Sequence, residues 1–406
     1  MIEEAELFAQ ALDLQTPWFV SDIDFSREKR RLDIYLDFER GGTFCCPACH
    51  RPEMKAYDTK RLTWRHLNFF EYEAYLHADA PRVQCSADCG IRRIEVPWAR
   101  TGSGFTLPFE AMVIRQAKAM PVAELAEQLG VHDTKLWRVL HYHVDLARSR
   151  VDHSNVTRAG VDETVARRGH DYVTFFFDLD EKRLIFATEG KDQNTVKAFK
   201  DHLECHHGDA SSIKQFCCDM SPAFISGVKK QFPNAQITFD RFHVTKLLND
   251  AVDEVRRDEV KYRKELKKTR YDWLKNPENL TAKQKERLSR LSQKNLKTAR
   301  AYHIRLNFQE FFAQPNRETG EVFLKRWYFW ATHSRLPPMI KAAKTIKQHW
   351  EGVLNWFDGH ITNAILEGMN SLVQAAKSRA RGYRTKRNMI TIAYLIGGRL
   401  EFDLPT

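Results

Sequence analysis

The chain lacks most marks of a membrane, secreted or fibrous protein. No apolar run reaches the ~18 residues that a membrane span needs, so a transmembrane reading is excluded. The first fifteen residues hold three glutamates and no lysine or arginine, so they lack the basic start of a secretory signal. Eight cysteines in 406 residues are too few for a disulfide scaffold. Glycine (18) and proline (14) are scarce, which argues against a collagen-like chain. Tandem repeats, low-complexity tracts and clear coiled-coil heptads are also missing. What is there suits a folded cytoplasmic protein of several domains, with 43% hydrophobic and 29% charged residues.

The charge is the first pointer to function. The net charge is +11, which favours a polyanionic partner. Between Arg256 and Arg305, 17 basic residues face 6 acidic ones. That excess equals the excess of the whole chain. It predicts either a solvated helical face or contact with a nucleic-acid backbone.

Five of the cysteines fall in the first quarter. Cys46-Pro-Ala-Cys49 follows a strand-like run, Leu32 to Phe38, and the turn Gly41-Gly42. Cys85-Ser-Ala-Asp-Cys89 follows a second strand-like run, Glu73 to His77. Two short turns that aim paired thiolates at one point suit tetrahedral zinc. Cys46, Cys49, Cys85 and Cys89 are the expected ligands of one structural Zn2+. Cys45 is a spare neighbour and His50 an alternate. Such a site is expected to stabilise a small module without a large core. No βαβ pattern surrounds the pairs, which disfavours a redox role. Cys217 and Cys218 read as strand core, and Cys205-His206-His207 as a helix end.

The middle of the chain reads as two short helices. Pro121 opens the first, whose apolar face is Val122, Leu125, Ala126 and Leu129, at helical spacing. Gly130 ends it, Val131 turns inward, and Asp133 is the expected cap of the next. The Ala126-x-x-x-Gly130 spacing is that of a helix-turn-helix, in which a small residue lets the helices approach and glycine takes the left-handed turn. A plain helical hairpin is the alternative. In the motif the second helix enters the major groove, and Thr134, Lys135 and Arg138 are its exposed candidates.

From Gly160 the texture changes to strands. Gly160–Val165, Asp171–Asp178 and Arg183–Thr188 predict an antiparallel meander. A helix over Asn194–His202, a strand ending at Asp219, a helix over Ala223–Phe232 and a strand ending at Asp240 follow. This order resembles the ribonuclease H-like fold, in which the strands carrying Asp162 and Asp219 are neighbours. Two carboxylates close together need a compensating cation, and hard oxygen ligands suit Mg2+. Glu163 is a rival to Asp162, but strand alternation puts it on the opposite face. Further on, Glu367 lies on a predicted helix with Asn363 and Asn370 on the same face. Lys377, Arg379, Arg381, Arg384, Lys386 and Arg387 follow, with no acid from Ala376 to Arg387, which suits a passing strand of phosphates.

The set Gly160-Val-Asp-Glu163, Cys218-Asp-Met-Ser-Pro222, Asp240-Arg-Phe-His-Val244 and Thr362-Asn-Ala…Glu367-Gly-Met-Asn370…Arg381-Gly-Tyr-Arg384 resembles the DDE transposases of bacterial insertion sequences, and within them the ISL-three family. The zinc knuckles and helix-turn-helix resemble that family's N-terminal layout, so the similarity runs from about Phe44 to Gly398. The resemblance implies that Asp162, Asp219 and Glu367 form the catalytic triad and hold two Mg2+ ions, with Mn2+ able to substitute. It places Asp240 and His243 near the site; a plain core histidine is the bland reading of His243. It also implies binding to double-stranded terminal inverted repeats and target DNA, and a homodimer or higher assembly on DNA.

The expected fold class is multidomain α+β. It comprises a zinc-binding module (1–100), a helix-turn-helix domain (101–155) and a ribonuclease H-like α/β domain (156–249 and 351–406), interrupted by an all-helical insertion (250–350). Glu367 lies 148 residues after Asp219, which implies that insertion. Within it Thr281 is a predicted cap, and the cluster Trp327, Tyr328, Phe329 and Trp330 is expected to fill its core. Two rivals remain at this point. A non-catalytic DNA-binding regulator would need no acidic triad, and a structure-selective nuclease would hydrolyse without joining.

Overall fold

A computed structural model describes residues 4–85, 89–167, 171–359 and 364–405, the side chains of 364–367 excepted. The chain divides into two compact units, Met1–Arg148 with Leu400–Thr406, and Ser149–Arg399. Among the described residues no helix is long and apolar enough to cross a membrane.

The first unit begins with helix α1 (Glu4–Ala11) and strands β1 (Trp18–Ser26), β2 (Arg31–Phe38), β3 (Thr43–Phe44), β4 (Met54–Lys55), β5 (Asp58–Arg65), β6 (Glu73–Cys85) and β7 (Gly90–Arg93). Five of these form one sheet in the order β1-β2-β6-β5, with β7 also on β6. Period-2 alternation in β6 buries every second residue from Ala74 to Ala80, as a half-buried strand requires. Those residues pack with Trp18, Leu32, Ile34, Leu36, Trp64 and Trp98 into a core. This corrects the expectation of a core-poor module. Strand β2 pairs parallel with β6 and joins segments some forty residues apart, a pairing that no local signal announces. The short hairpin β3–β4 carries the first cysteine pair.

Helices α2 (Leu107–Ala117), α3 (Val122–Gln128) and α4 (Asp133–Ser149) complete the unit. Leu125, Ala126, Leu136, Val139 and Leu140 are buried between them. Gly130 sits at φ 64°, and the N–H of Val131 donates to Ala126 O at 3.0 Å, which closes the helix end with the left-handed turn that glycine permits. Asp133 is not the cap. It is the first residue of α4, and the Nδ1 of His132 accepts from the Thr134 N–H at 3.3 Å instead. Glu110, fully buried on α2, accepts from Nε2 of His143 at 2.6 Å, Nε of Arg100 at 2.9 Å and Oγ of Ser103 at 2.5 Å. A buried carboxylate is tolerated because each oxygen is satisfied.

The second unit is built on the sheet β8 (Arg158–Arg167), β9 (Asp171–Asp178), β10 (Arg183–Glu189), β11 (Gln215–Cys218) and β12 (Gln236–Phe239). Its order is β10-β9-β8-β11-β12. The first three strands pair antiparallel, and β11 pairs parallel with both β8 and β12. Helices α5 (Gln193–Cys205) and α6 (Pro222–Gln231) link the later strands. Phe176 of β9 stacks on Phe199 of α5 at 4.5 Å. Cys217 and Cys218 are fully buried strand residues, and α5 ends at Cys205 with His206 as its cap, as the sequence suggests.

Helix α7 (Arg241–Glu259) leads into α8 (Arg270–Leu274), α9 (Ala282–Ser292), α10 (Lys297–Gln309), α11 (Arg317–Thr332), α12 (Pro337–Gln348), α13 (Trp350–Leu354) and α14 (Trp356–Gly359). Thr281 caps α9 in a reciprocal capping box with Gln284. The buried core runs without a break from Val161 and Phe216 in the sheet to Trp273 and Trp327 in these helices. Gly352 on α13 meets the edge strand, because a Cβ there would lie 2.2 Å from the Phe239 ring. The aromatic cluster on α11 is only half internal. Trp327 is buried, whereas Phe329 and Trp330 are 64% and 43% exposed. Four successive residues sweep most of a helical turn, so one core cannot take them all. Helices α15 (Ala364–Arg379) and α16 (Lys386–Gly397) close the unit.

Candidate active site, zinc centre and nucleic-acid interface

Asp162 lies in β8 and Asp219 directly follows β11. The parallel register matches Gln215 with Arg158 and Cys217 with Gly160. Continued two residues further, the same offset puts Asp219 opposite Asp162. The half-buried Asp219 accepts from the Ser221 N–H at 3.0 Å, and Pro222 then starts α6. Asp240 follows β12 and caps α7, accepting from the Phe242 N–H at 2.6 Å. Its Oδ2 lies 2.9 Å from Nδ1 of His243. The middle of β8 and the ends of β11 and β12 therefore bring three aspartates near one another.

Helix α15 is pinned along β8. The Asn370 amide donates to Asp162 Oδ2, Nε2 of Gln374 to Thr164 Oγ1 at 2.7 Å, and Nζ of Lys377 to Val165 O at 2.5 Å. The spacing 370, 374, 377 is one helical face. Glu367 belongs to α15 one turn before Asn370, but its side chain lies outside the described residues, as does all of Asn363. The Oδ1 of Asn370 is buried without a partner among the described residues.

The electrostatics match this crowding. Burial pushes the Asp162 carboxyl up to about 6, helped by Asp240 and Asp219 and opposed by His243 and the Glu163 N–H. Burial alone would lower His243, but Asp240, Asp162 and Asp219 outweigh it and raise the imidazole above its ordinary value. Glu163 is also raised, by burial first, and it feels Asp219 and His243. Strand alternation therefore understates how near this rival comes. Gln374 and Thr164 went unnoticed in the sequence. Their offsets of four from Asn370 and two from Asp162 are the signal that a helix face meets a strand face.

The basic tail is partly used inside the chain. Lys386 pairs with Asp171 at 2.8 Å and Glu189 at 2.6 Å, Lys377 holds Val165 O, and Arg384 O accepts from Arg167. Lys377 and Lys386, expected as phosphate contacts, are thus engaged within the chain. Their helices lie on β8 and β10, so nearby carboxylates and carbonyls hold both ammonium groups. Arg379, Arg381 and Arg387 lie on the same stretch.

In the first unit, the thiols of Cys46, Cys49, Cys85 and Cys89 all lie within 4.8 Å of one another, and Cys49 and Cys85 are 3.5 Å apart. Four thiolates around zinc at ~2.3 Å stand about 3.8 Å apart, so the set fits a closed tetrahedral site. The first knuckle is held by Cys46 N–H to Arg51 O and His50 N–H to Cys46 O, both 2.9 Å. Backbone N–H groups of Cys49 and Ala48 hold the Cys46 thiol down at about 6, and hydrogen bonding with Cys49 and Cys85 pushes Cys89 up to about 12. Cys45 and His50 are exposed and outside the cluster. On α4, Thr134, Lys135 and Arg138 are all exposed while Leu136 and Val139 are buried.

The geometry thus describes a zinc-knuckle and helix-turn-helix unit, followed by an α/β unit with clustered carboxylates. Residues 159–393 match a family model described as a transposase, that of the ISL3 family. Residues 94–144 match the helix-turn-helix domain of transposase family ISL3, and residues 42–89 the zinc-finger of transposases IS204, IS1001, IS1096 and IS1165. The chain belongs to the ISL3 family of transposases and is a DNA transposase. It is similar to the transposase for insertion sequence element IS1557 of Mycobacterium tuberculosis, 28% identical over 365 residues, covering 82% of this chain and 80% of that protein. It is also similar to the transposase for insertion sequence element IS1001 of Bordetella parapertussis, 27% identical over 372 residues, covering 87% and 89%.

Proposed function

We propose that this transposase binds the terminal inverted repeats of an insertion sequence and cuts and joins DNA with Asp162, Asp219 and Glu367 as its catalytic carboxylates. The observation that carries the reading is the meeting of Asp162 with Asn370, since it brings the helix of Glu367 onto the strand of Asp162. The sheet order, antiparallel then parallel, supports a ribonuclease H-like domain, and the helices from 250 to 350 are its insertion. Residues 1–100 form the zinc module, 101–155 the helix-turn-helix domain, and 156–249 with 351–406 the catalytic domain.

The orphaned Oδ1 of Asn370 and the raised Asp162 fit a site built for cations. When bound, two Mg2+ ions, or Mn2+ in their place, would activate the attacking oxygen and stabilise the leaving one. Asp162, Asp219 and Glu367 would hold them. Asn370 fixes the orientation of Asp162, and Asp240 with His243 flanks it; Asn363 is placed near by the spacing alone. Water attacks a phosphodiester at the element end and frees a 3′-OH. That 3′-OH then attacks a target phosphodiester and displaces its 3′ oxygen. Cys46, Cys49, Cys85 and Cys89 hold one structural zinc. Thr134, Lys135 and Arg138 enter the major groove, and Arg379, Arg381, Arg384 and Arg387 follow the backbone. The chain acts in the bacterial cytoplasm, as a dimer or larger assembly on paired ends.

The test is Asp162→Ala in the full chain. End binding should persist while cleavage and the joining of pre-cut ends are both lost. Unchanged cleavage would reject the assignment. Wild-type cleavage without joined product would point to a nuclease.

A further inference from the structure

Within the first unit a cleft of about 440 Å3 opens between the end of β5, the loop 100–105 and the start of α4, lined among others by Thr63, Arg65, Gly104, Lys135 and Arg138. Its size is that of a small-ligand site, and its lining includes four cations, Arg65, Arg100, Lys135 and Arg138. Lys135 and Arg138 make no ion pair among the described residues. The acids at its margins are engaged. Glu73 accepts from Tyr75 at 2.8 Å, Asp133 lies 3.1 Å from His132, and Glu110 is held beneath Arg100.

Arg65 is the unusual element. It is 4% exposed. Its Nη1 donates to His66 O at 2.7 Å and Ala74 O at 3.1 Å, and its Nη2 to Asn68 Oδ1 at 2.6 Å. Its Nε has no partner among the described residues, and Glu73 stands off at 3.7 Å. A buried guanidinium with an unmet N–H costs on the order of 1–3 kcal/mol, and its charge stands at the cleft wall. Across the cleft a Cβ added at Gly104 would meet nothing within 4 Å, so the loop leaves the space open.

We propose that this cleft seats a phosphate of the DNA strand that borders the groove entered by α4. The inference rests on the reading of α4 as the groove-entering helix, and it adds β5 and the loop 100–105 to the DNA interface. Lys135 and Arg138 line the cleft from α4, and phosphates flank the groove that such a helix occupies. The sheet that carries the zinc knuckles and the helix-turn-helix then grip one duplex from two sides. The contact to phosphate sets register, while α4 reads the bases.

Gly104 provides a clean test, since its position has room for a side chain. In the full chain, Gly104→Asp should weaken binding to a duplex cut from the end of the element several-fold, and Gly104→Lys should tighten it. A misfolding effect would weaken both charged variants, so opposite signs report charge. The slope of log affinity against log salt should change by about one unit between the charged variants. Phosphate-ethylation interference should map the change to a discrete backbone position beside the α4 contacts. If both charged variants bind like wild type while Lys135→Ala weakens binding, the cleft proposal fails and the α4 reading stands. If the double variant Lys135→Ala, Arg138→Ala also binds like wild type, the α4 reading falls and takes this proposal with it.

Discussion

At the residue scale the burdened group is Asp162, whose carboxyl is raised from 3.8 to about 6 chiefly by burial. Between about 4 and about 6 the folded chain keeps a proton that the unfolded chain has lost. Its metal-free stability therefore falls as pH rises through that window. Asp162→Asn removes the penalty. In metal-free protein it should raise stability well above pH 6 by on the order of 1 kcal/mol, and should change nothing below pH 4. Denaturant unfolding at both pH values checks this, and equal effects at the two would contradict it. The identity of Asp162 was legible in the sequence because it stands in a short strand with an acidic centre. Its partner Asn370, 208 residues away, was legible only as a neighbour of Glu367 on one helix face. That Asn370 touches Asp162 depends on how α15 docks, which local spacing does not encode.

At the scale of elements, the cysteine pairs were legible and the sheet beneath them was not. Short-range spacing announces a knuckle, since both thiolates sit on one turn. The parallel pairing of β2 with β6 is set by burial of Leu32, Ile34, Leu36 and Leu76, a condition no single segment carries. This core has a consequence for metal removal. A strong chelator should release about one zinc per chain and unravel the knuckles, while the sheet remains. Hydrogen exchange should then lose protection around Thr43–Phe44, Met54–Lys55 and Gly90–Arg93 but keep it in β2 and β6. Loss of protection throughout the sheet would mean that the metal holds the whole unit. The cluster on α11 carries the same lesson, since composition marks four aromatic residues and only helix phase decides that Trp327 enters the core.

At the scale of the molecule the charge of +11 remains the strongest link to DNA, but it is partly spent on folding. Within the basic stretch, Arg287 pairs with Asp272 and Arg256 with Asp253, and Arg305, 2% exposed, donates to Asn249, Leu274 O and Asn276. Each phosphate neutralised adds about 0.9 to the salt slope of binding. The slope for end DNA should be steep, yet well below what the 17 basic residues would give if all met phosphate. Fluorescence anisotropy across a salt series measures it, and a flat response would remove the charge argument. By itself the sequence determined the order of modules, the paired cysteines, the helix-turn-helix and the acidic positions, because these rest on spacing within a few residues along one chain segment. Only the tertiary structure decided that Asn370 meets Asp162, that Lys386 serves Asp171 and Glu189, and that Arg65 lies in one cleft with Lys135. Those pairings join segments far apart in the chain, and they form only when strands and helices bury a common core and settle its register.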